Sequence, residues 1–386
     1  MNRKLSADEV LNEVIAETGL DDFGDSPFLE DYRRALDTLN AEVKFSKGGI
    51  AAFRDVVKRS LTNWLLMQKD IRNHPEILDE ELAPPVVVTG FVRSGTTKLQ
   101  RMLSVCPKFQ SLELWKVTNP APFPGTNLNI KDDPRIPWTD AMVKGIHDYL
   151  PEFFASHPFG THQAEEDLAL QEITFKGPSL PMSMGARHFK EELSPISDEV
   201  YEFIKTCLKY FQWQDRTTSN KSTKPWVLKT PLHLGNIATI SRVFPGAKII
   251  HTHRDALTSV TSCARLEELA ARRFTDKLDL HYIGDGVLSY WSKEWERNIE
   301  DREKLEQNDY LDVHFDDINK NSLELINRVF DFLGIEFDQT SRDAIQDWEN
   351  NNERHKFGRN RYDKEDFGFT EDRVKQAFQK YFDYFG

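Results

Sequence analysis

The stretch VVVTGFVRSGTT, residues 86–97, decides the fold class of this 386-residue chain. Its first four residues form a β-branched, mostly apolar run without polar alternation, which is typical of a buried parallel strand. Gly90 and Gly95 then frame a short loop, and a helical pattern begins at Thr97. The free N–H groups at the start of a helix carry partial positive charge and bind anions. The stretch therefore predicts a strand, an anion-binding loop and a helix, in that order.

The residues inside the loop indicate which anion it binds. Gly90 and Gly95 have the spacing of a P-loop, but Thr96 stands where a nucleoside triphosphatase needs lysine. The cation lies inside the loop instead, because Arg93 has a planar guanidinium that suits phosphate or sulfate oxygens. The hydroxyls of Thr96 and Thr97 can donate to the same anion. The loop predicts a phosphate or sulfate site, and a P-loop kinase of small molecules is the first alternative.

Outward from this stretch, strands and helices alternate along the chain. Further apolar runs at 226–228, 247–251 and 310–315 predict three more strands. Helical patterns lie between or beside them, at 97–105, 234–243, 256–269, 288–307 and 322–333. This alternation predicts an α/β fold with a central, mainly parallel sheet flanked by helices.

Two segments fall outside this alternation. Residues 1–83 have helical patterns and are interpreted as an N-terminal helical extension packed on the core, with a substrate lid or an oligomer contact as alternatives. Residues 84–386 then form one domain around the sheet. Within that domain, about 116–225 is irregular and rich in proline, histidine and aromatic residues. This insertion is expected to shape an acceptor pocket, or else to be a solvated loop region.

Composition narrows the possible classes of function. The formal net charge is −13, whereas a nucleic-acid-binding protein needs a basic footprint, so no nucleic-acid partner is expected. Three cysteines are too few for a disulfide framework and fit a reducing compartment, which predicts a cytoplasmic protein. The charged start of the chain does not resemble a signal peptide, and no apolar run is long enough for a transmembrane helix.

A second group of polar residues follows the predicted strand at 247–251. The strand leads into Arg254 and Asp255, and Ser262 lies eight residues after Arg254 on the next predicted helix. An arginine at the end of the strand and a serine about two turns into the helix can converge on one phosphate. The alternative is a structural ion pair between Arg254 and Asp255.

The two groups, in this order and spacing, resemble those of the sulfotransferase superfamily that uses 3′-phosphoadenosine 5′-phosphosulfate (PAPS). Three further stretches resemble the bacterial branch of that superfamily: WVLKTPLHL at 226–234, FPGAKIIHTHRD at 244–255, and HKFGRNRY at 355–362 followed by EDFGFT at 365–370. The resemblance covers about residues 84–386 and is weakest over 120–220. It implies a P-loop-like sulfotransferase fold, a sulfuryl transfer from PAPS to a hydroxyl acceptor, and no metal.

The resemblance also implies which residues hold PAPS. The 5′-phosphosulfate is expected at the loop, and the 3′-phosphate at a pair of residues on the next strand and helix. The tail at 350–386 is expected to close over the 3′-phosphate. The expected PAPS-binding residues are Arg93, Ser94, Gly95, Thr96 and Thr97 in the loop, Arg254 and Ser262 in the pair, and Lys356, Gly358 and Arg359 in the tail.

The transfer needs positive charge near the leaving oxygen and a general base near the acceptor hydroxyl. Arg93 and Lys229 are the expected charge stabilisers, the latter because it ends a predicted strand on the side where α/β proteins bind ligands. Three residues compete as the base: Glu113, His233, and His162, which lies near Glu165 and Glu166.

The sequence leaves the acceptor and the oligomeric state open. Aromatic and methionine residues between 115 and 213 suit a small apolar or lipid-like alcohol, although such residues are as easily core. The remaining alternative to an enzyme is a catalytically inactive nucleotide-binding homologue.

Overall fold

The apolar run that begins at Val86 lies at the centre of a five-stranded parallel sheet. The computed structural model describes residues 4–24, 27–126, 133–186, 195–218, 224–352 and 363–386. Its strands are β1 (Val86–Gly90), β2 (Gln110–Ser111), β3 (Trp226–Lys229), β4 (Lys248–His253) and β5 (Tyr310–His314), in the spatial order β2-β3-β1-β4-β5. All neighbouring strands are parallel. The predicted α/β fold with a mainly parallel sheet is confirmed.

Helices precede the sheet, connect its strands and follow it. Before β1 lie α1 (Ala7–Thr18), α2 (Phe28–Glu42) and α3 (Lys47–Asn73). Between β1 and β3 lie α4 (Thr96–Ser104), α5 (Leu114–Thr118), α6 (Arg135–Tyr149), α7 (Pro151–Ser156), α8 (Leu168–Ile173), α9 (Ser179–Ser183) and α10 (Asp198–Thr218). The remaining helices are α11 (Ile237–Val243), α12 (Ala256–Ala271), α13 (Leu280–Arg302), α14 (Phe315–Lys320), α15 (Ser322–Leu333), α16 (Gln339–Asn351), α17 (Glu371–Ala377) and α18 (Gln379–Phe385). In the described part of the chain, no helix combines the length and the hydrophobicity that crossing a bilayer requires.

Hydrophobic clusters cover both faces of the sheet. Val86 and Val88 of β1 belong to one cluster, which α4, α15 and α16 complete. Val87, between them, belongs to a second and larger cluster. Alternate residues of a strand point to opposite faces, so a β-strand buried on both sides reads as a continuous apolar run. This double burial explains why β1 has no polar alternation.

The N-terminal helices share the larger cluster. Phe28 and Trp64 stack with their ring centroids 3.9 Å apart, and both belong to the same cluster as Val87 of β1. The backbone of α3 also meets the core closely, because a Cβ on Gly49 would lie 1.7 Å from the carbonyl oxygen of Phe274. Helices α1–α3 therefore pack against the rest of the protein. Whether residues 1–83 form a separate unit, a lid or an oligomer contact stays a prediction.

Some elements differ from those that the sequence predicts. Strand β2 has only two residues, too few for an apolar pattern to be recognised. Helix α13 begins at Leu280, eight residues earlier than predicted, because two glycines weaken its helical pattern. Gly284 is one of them, and a Cβ there would lie 2.1 Å from the carbonyl oxygen of Phe367. The insertion at 116–225, for which the sequence predicts no helix, contains α6–α10 in its described residues.

Candidate functional site

A cleft of about 360 Å³ lies at the carboxyl ends of the central strands. Crevices at this edge of a parallel sheet are where α/β proteins bind their ligands. The walls come from the β1–α4 loop, from residues that follow α7, β3 and β4, from the segment before α8, and from helices α12 and α14. The cleft is lined by Val92, Arg93, Gly95, Thr96, Thr97, His157, Glu166, Pro231, Arg254, Ser262, Cys263, Leu266 and Phe315.

The β1–α4 loop owes its shape to close contact with β4. Gly90 has φ +139°, and a Cβ at this position would lie 2.2 Å from the carbonyl oxygen of Thr252. The Phe91 N–H donates to the same carbonyl at 3.0 Å. Only glycine combines this φ with this approach. The loop therefore leaves the sheet sharply, and α4 begins with its N-terminus at the cleft.

Ser94 stabilises the loop through hydrogen bonds to the loop itself and to β4. Its side chain is fully buried, and its hydroxyl bonds to the Phe91 carbonyl oxygen and to Thr252 Oγ1. The Ser94 N–H donates to the Phe91 carbonyl oxygen at 3.1 Å. Of the five loop residues expected to bind PAPS, Arg93, Gly95, Thr96 and Thr97 line the cleft, whereas the donors of Ser94 are already used inside the loop.

The two predicted anion-binding groups meet in this cleft. Arg93 Nε donates to Ser262 Oγ at 3.3 Å, and Arg254 Nη1 donates to the Arg93 carbonyl oxygen at 2.7 Å. The Arg254 guanidinium also lies over the Phe315 ring, 4.1 Å from its centroid. Asp255 caps α12 by accepting from the Thr258 N–H at 2.7 Å. Two guanidinium groups and the N-terminus of α4 thus face one small space, which favours a ligand with more than one anionic group.

Lys229 joins the loop to the insertion from beneath the cleft. It is the last residue of β3, and its side chain is only 1% exposed. Its Nζ lies 3.2 Å from Thr97 Oγ1 and 2.5 Å from Glu166 Oε1. Lys229 is not itself among the cleft-lining residues, but Thr97 and Glu166, which its ammonium group contacts, both are.

Two of the three predicted bases contact each other outside the cleft lining. His162 Nδ1 lies 2.9 Å from Glu113 Oε2, which also accepts from Trp115 Nε1 at 2.5 Å. The His162 side chain is 61% exposed. The structure therefore brings Glu113 and His162 together as a pair beside the site.

The third predicted base, His233, is completely buried. Its Nε2 lies 3.1 Å from Asp167 Oδ1, and its Nδ1 lies 3.1 Å from the Tyr201 hydroxyl. A general base must reach the acceptor with a free lone pair. With both ring nitrogens bonded inside the protein, His233 has no nitrogen left for an acceptor.

The structure brings to the cleft a histidine that the sequence analysis did not select. His157 follows α7, and its Nε2 lies 3.1 Å from Glu165 Oε1. Burial by itself would raise the pKa of the Glu165 carboxyl, but the charge and hydrogen bond of His157, aided by two nearby cations, lower it to about 2. The cations are Lys229 and Arg101. The sequence does contain a signal that could have selected His157: three consecutive acidic residues begin at Glu165, eight residues after it.

Three side chains near the cleft have the spacing that a bound metal ion would need. Within the described ranges, His157, Glu165 and Glu166 are the group whose ligand atoms lie close enough to hold a metal ion, within 4.8 Å of one another. Glu166 is already paired with the Lys229 ammonium. The expectation of a metal-free reaction stays a prediction. Lys356, Gly358 and Arg359, predicted to cover the 3′-phosphate, lie outside the described residues.

Comparisons with known proteins place these observations in a family. The model of the sulfotransferase family matches residues 84–339, a range that contains every cleft-lining residue. Omega-hydroxy-beta-dihydromenaquinone-9 sulfotransferase Stf3 of Mycobacterium bovis is 22% identical over 261 residues, and so is Stf3 of Mycobacterium tuberculosis. Each match covers 65% of this chain and 63% of the relative.

Solved structures resemble the whole chain. Sulfotransferase STF1 from Mycobacterium tuberculosis superimposes with a TM-score of 0.84 at 25% identity, covering 98% of this chain and 100% of the other. Sulfotransferase STF9 from Mycobacterium avium gives a TM-score of 0.86 at 22% identity, covering 100% of this chain and 98% of the other. The predicted P-loop-like sulfotransferase fold is confirmed.

Proposed function

This chain belongs to the sulfotransferase family, and from that premise we propose that it transfers a sulfuryl group from PAPS to the hydroxyl of a small apolar or lipid-like alcohol. The acceptor oxygen attacks sulfur, and a new S–O bond forms as the bond from sulfur to the bridging phosphate oxygen breaks. The acceptor proton passes to a base on the enzyme. The products are a sulfate ester and 3′-phosphoadenosine 5′-phosphate (PAP).

The observation that carries this proposal is the meeting of two anion-binding groups in one cleft. In the proposed complex, the N-terminus of α4 with Thr96 and Thr97 holds the 5′-phosphosulfate. Arg254 and Ser262 hold the 3′-phosphate. Arg93 Nε lies 3.3 Å from Ser262 Oγ, so the two groups of residues are adjacent, which supports a donor that carries anionic groups at both its 5′ and its 3′ positions. A nucleoside triphosphate would present its charge differently, as one linear chain of phosphates.

Two cations are placed to stabilise the departing phosphate. Arg93 lies in the β1–α4 loop. Lys229 Nζ lies 3.2 Å from Thr97 Oγ1, in the first turn of α4. As the bond to sulfur breaks, negative charge grows on the bridging oxygen, and fixed cations in a water-poor cleft lower the energy of that state. An arginine keeps its proton, so Arg93 acts by charge and hydrogen bonding. Lys229 can also donate a proton to the leaving oxygen.

His157 is our proposed general base. It lines the cleft, and its Nε2 lies 3.1 Å from Glu165 Oε1. In the proposed reaction, Nδ1 takes the proton from the hydroxyl of the acceptor. A carboxylate behind an imidazole fixes its tautomer and stabilises the imidazolium that forms, as in hydrolase triads. The Glu113–His162 pair is the second choice, because it lies outside the cleft lining.

The surroundings of His157 support an apolar acceptor. The rings of Phe153 and Phe159 lie 6.4 Å and 6.0 Å from the His157 ring, and Phe154 lies 5.3 Å from Phe159. An aromatic wall next to the base suits the apolar part of an alcohol. The curated relatives are named for an ω-hydroxylated menaquinone derivative, which is an acceptor of this type. Cys106, Cys207 and Cys263 are reduced, not joined in disulfides, which fits the proposed cytoplasmic location.

The test is a transfer assay with PAPS and a panel of hydroxylated lipids and sterols, followed by mass spectrometry. We expect a sulfated product with PAPS and none with ATP and Mg²⁺. His157→Gln should lower kcat by about 10²-fold or more while PAP affinity is retained. Glu113→Gln is the matched control and should keep most of its activity. Phosphorylated products from ATP would support a kinase instead, and PAP binding without any transfer would support an inactive homologue.

A further inference from the structure

Three consecutive acidic residues before α8 contact three different groups of the proposed active site. Glu165 binds the ring of His157, Glu166 binds Lys229 Nζ, and Asp167 accepts from the backbone N–H of Lys229 at 3.0 Å. The first two contacts involve the proposed base and a proposed charge stabiliser. The third contact fixes the segment itself to the end of β3.

Asp167 is the anchor of this segment. It is completely buried, and one carboxylate oxygen, Oδ1, faces both the Lys229 N–H and His233 Nε2. Its carbonyl oxygen accepts from the N–H groups of Leu170 and Gln171, which open α8. The residue thus joins the last residue of β3 to the first turn of α8. Because Glu165 and Glu166 are its chain neighbours, their side chains depend on this anchor for their positions.

His233 and Tyr201 hold the anchor in place. The Tyr201 hydroxyl lies 3.1 Å from His233 Nδ1, and both side chains are completely buried. Burial raises the pKa of Tyr201 well above its usual value, so it stays a phenol and can donate to Nδ1. His233 then carries its hydrogen on Nε2 and donates it to Asp167. Burial by itself would raise the pKa of Asp167, but its hydrogen bonds with the His233 ring and the Lys229 N–H lower it, so the anchor is a carboxylate.

We propose that Asp167 and His233 are positioning residues for sulfuryl transfer. They hold the acidic segment against β3, so that Glu165 orients His157 and Glu166 sets the place of Lys229. Neither side chain lines the cleft, and neither takes a proton from the acceptor. This inference rests on the proposed function, and it gives the buried His233 a role other than that of the base.

The test compares two substitutions of His233 with a matched buried histidine. His233→Gln keeps an N–H donor for Asp167, whereas His233→Leu removes it. We expect His233→Leu to lower kcat by about 10²-fold, since a misplacement of about 1 Å has this effect. The KM for PAPS and the affinity for PAP should be retained, and His233→Gln should recover most of the lost kcat. His251→Gln is the control, because His251 is equally buried but contacts Asn298 and Arg302 instead of the acidic segment. It should lower the melting temperature and leave kcat unchanged.

Other outcomes would overturn the inference. If His233→Leu keeps the wild-type kcat, or if Gln rescues no better than Leu, the pair has only a structural role. If His233→Leu does not fold, Tyr201→Phe and Asp167→Asn take its place, and an unchanged kcat in both would be equally decisive. A wild-type protein that binds PAP but transfers no sulfuryl group overturns the proposed function. An active wild-type protein with unaffected His233 variants overturns the positioning role alone.

Discussion

At the scale of single residues, Arg93 combines an unusual backbone conformation with a charge at the cleft. Its φ is +63°, a left-handed value that costs a non-glycine residue about 1–2 kcal/mol. The Arg254 guanidinium, which donates to the Arg93 carbonyl oxygen, helps to hold this conformation. Backbone strain of this kind concentrates at functional sites. The strained residue thus carries the cation of the loop.

Two substitutions of Arg93 distinguish the effect of its backbone strain on stability from the effect of its charge on turnover. Arg93→Ala and Arg93→Gly should each lower kcat by about 10²-fold, because both remove one stabiliser of the transition state. The glycine variant relieves the left-handed strain, so it should be at least as stable as the alanine variant in thermal unfolding. Wild-type kcat in the glycine variant at saturating PAPS would show that the charge is not needed.

Arg254 should determine selectivity for the 3′-phosphate. We expect Arg254→Ala to weaken PAPS binding by about 1.5–3 kcal/mol, the value of a hydrogen bond to a charged group. Affinity for adenosine 5′-phosphosulfate, which lacks the 3′-phosphate, should change little. Calorimetry with both nucleotides measures the difference. Equal weakening of both would mean that Arg254 only supports the loop through the Arg93 carbonyl.

Glu165 should make stability depend on acid pH. Its pKa falls from 4.5 to about 2 on folding, so its contribution is fully present above pH 4.5 and is lost as the pH falls through about 2. The shift corresponds to about 3 kcal/mol. Urea unfolding at pH 7 and pH 3 should show a smaller loss at low pH for Glu165→Gln than for the wild type. Glu152→Gln is the control, because that side chain is 65% exposed; equal losses in all three proteins would contradict the assignment.

At the scale of elements, the β1–α4 loop depends on how closely β1 and β4 approach each other. Register pairs Gly90 with Thr252, and the loop leaves at this pair. A Cβ on Gly90 would point at the Thr252 backbone, so this position has no room for a side chain. The position of α4, whose N-terminus is the proposed anion site, is therefore set by a contact between strands that are far apart in sequence.

Gly90→Ala should remove donor binding. The new Cβ would meet the Thr252 backbone at 2.2 Å, and φ +139° is a conformation that alanine rarely adopts. The loop must shift, so PAP affinity should fall below detection in calorimetry, with a lower melting temperature. Gly145→Ala is the matched control: nothing lies within 4 Å of its Cβ in the exposed helix α6, and it should stabilise the fold by about 0.5–1 kcal/mol. PAP binding by Gly90→Ala comparable to that of the wild type would refute the close-contact argument.

At the scale of the whole molecule, the N-terminal helices contribute to the main hydrophobic cluster. Phe28, Phe53, Val57 and Trp64 are at most 7% exposed and belong to the cluster that includes Val87 of the sheet. Burying four such side chains contributes about 6–12 kcal/mol. Because this is comparable to the net stability of a whole domain, the helices and the sheet should fold together.

Removal of residues 1–83 tests this dependence. We expect residues 84–386 alone to be aggregated or unfolded by circular dichroism, because their side of the cluster would be exposed to water. The double substitution Phe53→Ala and Trp64→Ala in the full chain should destabilise the fold less than the truncation does. We expect a lower melting temperature and a normal PAP affinity in the folded state. A truncated protein that is monomeric and binds PAP would support the predicted boundary at residue 84 as a division between independent units.

The sequence by itself determined the parts of this protein that depend on neighbours in the chain. The apolar run at 86–90, the glycine-framed loop and the start of α4 are recognisable because strand burial, backbone freedom and the helix N-terminus are local properties. The pair of Arg254 and Ser262 is readable for the same reason, since a strand end and two helical turns fix their separation. These local signals were enough for the fold class and for six of the cleft-lining residues: Arg93, Gly95, Thr96, Thr97, Arg254 and Ser262.

The tertiary structure alone decided which residues face the cleft around the proposed base. His157 and His233 are both histidines near acidic residues, yet one lines the cleft and the other is completely buried between Asp167 and Tyr201. The sequence pattern also did not predict the two-residue strand β2 or the early start of α13. The burial and orientation of a side chain depend on packing between segments that are tens of residues apart in the sequence. The residues next to it in the chain do not determine that packing.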